Sequence, residues 1–547
     1  MNLAKLGLTG ISVAQNRLQA AGHNINNAAT EGYNRQTVLS ATAGATATYA
    51  GYIGRGVQAV TVQRAYDGFL FRQLVNAQST GASIATYGSE ITQINNLFAD
   101  RTVGITPALQ KFFDGVQAVA TAPADSAARQ ELLGRASSLV GQINDANAFL
   151  DGQRGNINTQ ITTVVTQINS YVERVRDLNA QITTARATAS GHEPNDLLDQ
   201  RDQLVSELSQ LVGVNVVEQD GKFNLTMGNG QVLLGGDTVY PLHAQPSADD
   251  PSRTAVFASV PGGAKGAIVK VELDERRITG GTLGGLLDYR QEALDSVQND
   301  LGRMAAALAV AFNDIHRTGA DLNQNAGGDF FRLGDIKSMP GAKNAGSAVL
   351  NVQFDDVNKL TSQDYRIEYT ASGYTVARLP DGKPFALPAD GIVDGVKFDV
   401  GTGTPAVGDS WLVQPTRSAA AGLSLIIDDP AKIAVAAPNT GTANGDVGLK
   451  LAELQNSKVL GNGSMSLNES FSQIVNKVGV LTQQNATEAK AQATLIQQNF
   501  AAQQAVSGVN LNEEYVNLDR YNEQFRAASR LIDISSTLFD TLLGLRN

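Results

Sequence analysis

The sequence predicts an α+β protein with a nested multidomain architecture: paired terminal helices, a long heptad helix bundle with small β elements, and an inserted, mainly-β domain. Three observations support this fold class. Apolar residues recur at helical spacing at both ends of the chain. Seven-residue apolar repeats run through the long segments between those ends. A stretch punctuated by Gly, Pro, Asp and Thr, with short alternating runs, interrupts the second half.

The first segment, about residues 1–26, has the periodicity of a helix. Its apolar residues form one stripe at three- and four-residue steps, and Leu3 belongs to a second stripe. A helix that is apolar on two sides needs more than one partner to cover it. The residues of this helix that we predict to form contacts between subunits are Leu3, Ile11, Leu18 and Ile25.

A short strand and a capped helix are expected next. Val60 and Val62 alternate with polar residues, which predicts a strand. Asp67 is placed to cap a helix that begins near Gly68.

The longest helical pattern begins near Arg129 and leads into a heptad seam. Gly152 and Gly155 are expected to weaken or bend this helix. From Ile157 onward the apolar residues fall seven apart over about four heptads, with no Pro or Gly among them. About 30 residues of helix make a rod of roughly 45 Å. The seam consists of Ile161, Ile168, Val175 and Ile182.

The middle of the chain alternates between helix and strand signals. A shorter helix is expected near Asn195, after which the apolar period changes to two. Asp220-Gly221 then predicts a type I′ hairpin turn within a small β region at about residues 214–273. A second seven-residue series, Leu287–Ile315, predicts another helix that ends at Gly319.

The second half contains the insertion and two further helices. Residues 330–437 alternate in short runs and are interpreted as an inserted β domain. Ser466–Glu469 has the capping-box pattern and opens a third long helix, which Gly508 breaks. The last segment is again a heptad helix. Its residues that we predict to form contacts between subunits are Leu518, Phe525, Ile532, Phe539 and Leu542.

The two ends mirror each other, which favours a nested topology. We predict a terminal helical assembly domain from residues 1–60 and 508–547, a long-helix bundle from 61–329 and 438–507, and the inserted β domain over 330–437. Terminal segments are usually frayed, whereas these carry strong apolar patterning, which suggests that neighbouring subunits order them. The alternative is a bundle that one chain satisfies alone, and the pattern does not decide between the two.

The composition excludes several functional classes. The net charge of −11 repels phosphates and anionic lipids, so we expect neither nucleic acid as a partner nor membrane insertion. Cysteine is absent, which removes disulfides, thiolate catalysis and thiolate metal ligands. The N-terminus does not resemble a cleavable secretory signal, so a protein that leaves the cell would need another export route.

The sequence contains no recognisable catalytic, cofactor or metal motif, so we expect neither an enzyme nor a cofactor. His316 is interpreted as a cation in the last turn of a helix. Asp321, Asn323 and Asn325 mimic the start of a calcium loop, but its sixth position is Ala326 and not Gly. A turn capped by Asx side chains is therefore expected there.

Residues 23–36, HNINNAATEGYNRQ, resemble the signature of the flagellar rod, hook and hook-associated axial proteins. His23 stands where that family usually has Asn, and Asn26 where Ala is common. The signature ends a terminal helix, and Gly32 can take the positive φ angle that follows it. The residues that match the signature are Asn24, Ile25, Asn27, Thr30, Gly32 and Tyr33.

Further stretches, in order along the chain, are similar to the hook-associated branch of this family. The resemblance implies a structural subunit that joins the flagellar hook and filament as a ring of copies, through self-assembly of terminal helices. It implies the hook protein, a filament-side hook-associated protein and a flagellar export chaperone as partners. It also implies type III export, without a cleavable signal, to the extracellular flagellum. These stretches are residues 195–202, 319–323, 328–331, 408–411 and 508–515.

Two alternatives remain open. Another flagellar axial protein, of hook or rod type, would share the signature, although the large insertion and residues 508–515 argue against it. The other is a glycan-binding or enzymatic module within residues 330–437, which a deep polar cleft in that domain would favour.

Overall fold

The structure, a computed structural model, describes residues 3–99, 104–189, 192–262, 267–379 and 382–545. Within these ranges, α-helices form both ends of the chain and its central bundle. In chain order they are α1 (Leu3–Asn27), α2 (Gly68–Ala99), α3 (Ile105–Thr121), α4 (Ser126–Thr188), α5 (Asn195–Leu211), α6 (Gly281–Tyr289), α7 (Asp295–His316), α8 (Asp446–Glu453), α9 (Leu467–Ser507) and α10 (Leu511–Gly544).

Helix α4 is continuous over 63 residues, so the expected weakening at Gly152 and Gly155 does not break it. Each glycine costs about 1 kcal/mol relative to alanine. Leu150 and Ile157, on either side of the two glycines, are fully buried and hold the helix in place. The predicted heptad seam is confirmed, because its four residues are buried along α4.

The predicted helix starts are confirmed at two positions. The Asp67 Oδ1 atom accepts a hydrogen bond from the Phe69 backbone N–H at 2.8 Å at the start of α2. Ser466 and Glu469 form a complete capping box at the start of α9. Helices α2 and α9 pack closely against each other. A Cβ atom added at Gly81 on α2 would lie 2.7 Å from the Cδ1 atom of Ile496 on α9.

The sequence pattern predicted that the second heptad series forms one regular helix, but the structure interrupts this helix. A five-residue π-helical turn, Arg290–Leu294, lies between α6 and α7. It is closed by the Asp295 backbone N–H, which donates to the carbonyl of Arg290. The wider turn brings Arg290 and Asp295 to the same buried side, where they take part in a network of charges.

The strands form small antiparallel sheets. The strands are β1 (Gln36–Thr42), β2 (Ala45–Thr48), β3 (Gly51–Gly54), β4 (Val57–Arg64), β5 (Val214–Gln219), β6 (Lys222–Met227), β7 (Val232–Gly235), β8 (Thr238–Val239), β9 (Leu242–Pro246), β10 (Thr254–Gly262), β11 (Ala267–Glu272), β12 (Phe331–Arg332), β13 (Lys337–Pro340), β14 (Leu350–Phe354), β15 (Asp364–Thr370), β16 (Gly373–Leu379), β17 (Pro384–Ala386), β18 (Ile392–Val393), β19 (Val396–Val400), β20 (Ser410–Gln414) and β21 (Ser424–Leu425). Strand β1 pairs with β4, β2 with β3, and β12 with β21. The insertion contains a five-stranded sheet in the order β13-β20-β15-β16-β17 and a three-stranded sheet, β14-β19-β18.

Two predicted turns are confirmed. Asp220 and Gly221 have φ angles of 52° and 76°, as a type I′ turn between β5 and β6 requires. At the proposed Asx turn, Asp321 Oδ1 accepts the backbone N–H groups of Asn323 and Asn325, each at 2.8 Å.

The interpretation of His316 as a cation is wrong. Its side chain is fully buried, with Nδ1 2.7 Å from the carbonyl oxygen of Gly328. Nε2 accepts the Ala434 backbone N–H at 2.8 Å, which requires an unprotonated nitrogen. Burial lowers the pKa of His316, although the hydrogen bond to Gly328 opposes this effect. The neutral imidazole therefore joins the end of α7 to the segment before α8.

Two hydrophobic clusters divide the fold. The larger lies among the bundle helices and also contains residues from both ends of the predicted insertion, such as Phe331, Leu423 and Val435. The smaller lies between the sheets of the insertion, around Tyr365, Phe398 and Trp411.

None of the helices in the described ranges combines the length and apolar character needed to cross a membrane. The described residues also contain no group of three or more His, Cys, Asp or Glu placed to hold a metal ion.

Candidate assembly interface

Helices α1 and α10 pack antiparallel through small residues. A Cβ atom added at Gly7 would lie 2.7 Å from the Ile532 Cγ1 atom and 2.8 Å from the Ala528 carbonyl oxygen. At the opposite end, the Asn24 Nδ2 atom donates to Glu514 Oε2 at 3.2 Å. The two helices approach closely at Gly7, where Ile532 packs directly against the glycine.

The structure does not bury the predicted contact residues within the pair. Three of them, Leu3, Phe539 and Leu542, are 36%, 61% and 67% exposed. The other six are only partly buried, and one of them, Ile532, packs against Gly7. These are Ile11, Leu18, Ile25, Leu518, Phe525 and Ile532.

The apolar pattern does not reveal that the two helices meet at Gly7 and Ala528, because small side chains contribute little to it. Ala14 and Ala21 on α1 are also buried. The predicted contacts also omit Leu538, one of three apolar residues spaced by seven on a second stripe of the last segment. The seven-residue spacing was the available signal for that stripe.

The end of α10 extends beyond the described part of α1, which begins at Leu3. Gly7 lies opposite Ile532, and Leu3 is four positions before Gly7, so in an antiparallel pair Leu3 is level with Ser536. We call residues 537–545, which lie past that level, the apolar overhang. Its apolar side chains are between 48% and 79% exposed. They are Leu538, Phe539, Leu542, Leu543 and Leu545.

The family-signature segment lies at the other end of the pair, where Thr30 and Gly32 are exposed but Asn24 is buried. Asn24 is 1% exposed and its Nδ2 atom donates to the Gln36 carbonyl oxygen at 2.9 Å. The Oδ1 atom of Asn24 accepts the Gln36 backbone N–H at 2.9 Å and the Tyr33 hydroxyl at 2.7 Å. Together with the bond to Glu514, one buried amide thus joins α1, β1 and α10.

A second set of bonds joins this segment to α5 of the bundle. Asp199 accepts the Asn34 backbone N–H at 3.0 Å and the Asn34 Nδ2 group at 2.6 Å. The Arg64 Nη1 atom donates to Asp199 at 2.8 Å and to Asp202 at 2.6 Å. Burial raises the pKa of Asp202 to about 6, although Arg64 lies beside it. We call Asn24, Asn34, Arg64, Asp199 and Asp202 the signature joint.

Comparison with known proteins decides the family. The chain is 38% identical to flagellar hook-associated protein 1 of Salmonella typhimurium over 558 aligned residues, which cover 100% of both chains. It is 36% identical to flagellar hook-associated protein 1 of Escherichia coli, again over 100% of both chains. The chain belongs to the flagellar hook-associated protein 1 family. A more distant member of the hook-associated protein 1 family, from Bacillus subtilis, is 23% identical over 98% of this chain and 96% of its own length.

Solved structures and family models agree with membership of the hook-associated protein 1 family. The structure of the flagellar hook junction protein FlgK from Burkholderia pseudomallei has a TM-score of 0.74 and 29% identity, and covers 80% of this chain and 100% of that one. The model of the flagellar hook-associated protein FlgK helical domain matches residues 91–331. The model of the flagellar hook-associated protein 1 D2-like domain matches residues 339–415. This hook-associated protein 1 family member is therefore a structural component of the bacterial flagellum with an α+β fold.

A polar cleft of about 1080 Å³ does exist where the insertion meets the bundle. Several of its charged residues, however, are held in ion pairs. Arg417 Nη2 lies 2.5 Å from Asp364 Oδ2, and Asp295 Oδ1 lies 2.7 Å from Nη1 of Arg154, which does not itself line the cleft. In this member of the hook-associated protein 1 family, the cleft therefore overlies a structural charge network that connects insertion and bundle.

Replacing Gly7 by alanine is expected to loosen the terminal pair. The added methyl group would meet the Ala528 backbone, so the helices must move apart, at a cost of about 1–3 kcal/mol. Gly22→Ala on the same helix is the matched control, since a Cβ there meets nothing within 4 Å. The control should stabilise α1 by about 0.5–1 kcal/mol. Hydrogen exchange of the α10 amides near Ala528 should become faster in the first variant only; equal rates in both would contradict the packing.

Proposed function

We propose that this chain is a structural subunit at the junction between flagellar hook and filament, assembled by burying its terminal helices against neighbouring subunits. The observation that carries the proposal is the apolar overhang, whose five large side chains are 48–79% exposed in the single chain. Each such side chain contributes about 1.5–3 kcal/mol when it is fully buried. Exposed apolar patches of this kind mark interaction sites.

The similarity to hook-associated proteins supports this assignment over a hook or rod protein, since it extends over the whole chain. We propose a ring of copies in the flagellar axis, with the hook protein on one side and a filament-side hook-associated protein on the other. Export would use a flagellar chaperone and the type III route, without a cleavable signal, to the extracellular flagellum. The role is structural, and no catalytic activity is proposed.

The contact residues proposed for assembly are those that the terminal pair leaves partly or largely exposed. The partly buried residues would meet neighbours beside the pair, and the overhang would meet a neighbour beyond its end. We also propose the three-part division into residues 1–60 with 508–547, 61–329 with 438–507, and 330–437. The proposed contacts are Leu3, Ile11, Leu18, Ile25, Leu518, Phe525, Ile532, Phe539 and Leu542.

Thiol labelling tests the proposal directly, because the chain contains no cysteine and any introduced cysteine is unique. Leu542→Cys should react rapidly with a maleimide in the free protein and more than an order of magnitude more slowly in purified flagella. Val407→Cys in the insertion, where the side chain is 70% exposed, is the control and should react in both. Rapid labelling of the cysteine at position 542 in assembled flagella would contradict the proposed role of the overhang.

A further inference from the structure

The signature segment buries its polar side chains within one chain. Asn24 is 1% exposed, Asn34 is 4% and Gln36 is 9%. Polar groups buried at this level are stable only when they are hydrogen-bonded, and both asparagines are bonded to other elements of the same chain. These side chains are therefore not available to bind a neighbouring subunit.

The bonds of the signature joint connect two parts of the fold. Asn24 lies on α1 and Asn34 just before β1, whereas Arg64 is the last residue of β4. Asn34 and Arg64 bind the carboxylates of Asp199 and Asp202 on α5, one of the bundle helices. Asn24 instead joins α1 to β1 and to Glu514 on α10. The joint thus fixes the terminal pair and its two strands onto a single helix of the bundle.

The backbone at Gly32 supports the same arrangement. Its φ angle is +77°, and an added Cβ would lie 2.9 Å from the Gln203 Oε1 atom and 3.0 Å from its Cβ atom. The turn that follows α1 is therefore pressed against α5, where a side chain would push it away. Glycine is needed at this position for both its conformation and its size.

We infer that the signature joint sets the direction in which the terminal helix pair leaves the bundle, and that its members are positioning residues inside one chain rather than contacts between subunits. The consequence for assembly rests on the proposed function. Helix α10, with 34 residues, is roughly 51 Å long, so a tilt of about 10° at the joint moves the overhang by roughly 9 Å. Apolar contacts extend over only about 4–4.5 Å, so such a tilt removes the overhang from its neighbour.

The test measures the direction of the terminal pair in the free, full-length protein. Two exposed residues, Glu173 on α4 and Asp519 on α10, are replaced by cysteine and spin-labelled, which the cysteine-free background allows. Double electron–electron resonance then gives the distribution of distances between the two helices. The protein with an intact joint should give one narrow distribution.

The joint is removed by the combined change Arg64→Met, Asp199→Asn and Asp202→Asn, which replaces Arg64 together with both carboxylates that it binds. The distribution should broaden at least twofold, while the helical content stays unchanged. Arg526→Ala is the matched control, because Arg526 pairs with Glu523 on an exposed face of α10. Asn34→Ala removes a single bond to Asp199 and should broaden the distribution less.

An unchanged width in both joint variants would overturn the inference, and Asn34→Ala alone decides if the triple variant does not fold. The triple variant should also be incorporated into flagella at least tenfold less efficiently, although its overhang is intact. Normal incorporation of a variant with a broadened distribution would overturn the positioning role. Failure of the proposed function is detected separately, as rapid maleimide labelling of the cysteine at position 542 in assembled flagella. That measurement does not involve the joint.

Discussion

Changing Phe539 and Leu542 together to aspartate is expected to abolish incorporation into flagella while the protein stays folded. Both side chains lie in the overhang and are 61% and 67% exposed, so neither supports the fold of the single chain. Burial of each against a neighbour contributes about 1.5–3 kcal/mol, which the variant loses. An aspartate at the same place must also be desolvated without a partner, which adds to the loss. A combined loss of about 4 kcal/mol or more per contact weakens it by roughly a thousandfold.

The measurement is the number of filaments and the swimming of a strain that produces only the double variant. Thr541→Asp is the matched control, because it adds a charge to the same exposed helix end without removing an apolar side chain. The control should retain filaments, and both variants should unfold at the denaturant concentration of the unchanged protein. A normal number of filaments on cells with the double variant would show that the overhang is not an assembly surface.

Periodicity predicted the buried face of the central helix α4 but not the face through which the terminal helices meet. The seam of α4 follows from sequence because its apolar residues repeat in a local register and are all buried. At the termini the same kind of repeat selected Phe525 and Phe539, which lie at the edge of the pair and beyond it. The inner face is made by Gly7 and Ala528, whose small side chains let the helices approach but contribute little to a hydrophobic pattern.

The signature joint could not be predicted, because its bonds connect positions that are distant in sequence. Asn34 and Asp199 are separated by 165 positions, and Asn24 and Glu514 by 490. The resemblance to axial proteins drew attention to the signature but not to its partners on α5. The π-helical turn was missed for a related reason: a seven-residue apolar repeat continues through one inserted residue without a visible break.

The charge network beneath the insertion should be the most sensitive point of the fold to a single substitution. Asp295 follows the π-helical turn and faces Arg154 at 2.7 Å, with Arg253, Arg290 and Arg417 around it. Asp295→Asn leaves these guanidinium groups with one carboxylate fewer, at a nearly buried position. Removal of one partner from a buried ion pair costs about 3–5 kcal/mol.

The predicted loss of stability in Asp295→Asn is measured as a shift in the midpoint of denaturant unfolding at pH 7. Asp314→Asn, on the same helix, is the control. Asp314 pairs with Arg317, and its side chain is 60% exposed, so its replacement should change stability by less than about 1 kcal/mol. Equal midpoints for the two variants at pH 7 would mean that the network does not hold the insertion to the bundle.

The acid dependence gives a second, independent check on the network. Burial alone would raise the pKa of Asp295, but the surrounding guanidinium groups, Arg417 and Arg154 foremost, hold it well below its usual range. A carboxyl group with a lowered pKa in the folded state stabilises the protein above the unfolded value of about 3.9. That stabilisation is lost as the pH falls below this value. The difference in stability between the unchanged protein and Asp295→Asn should therefore be constant from pH 5 to 8 and shrink below about pH 4.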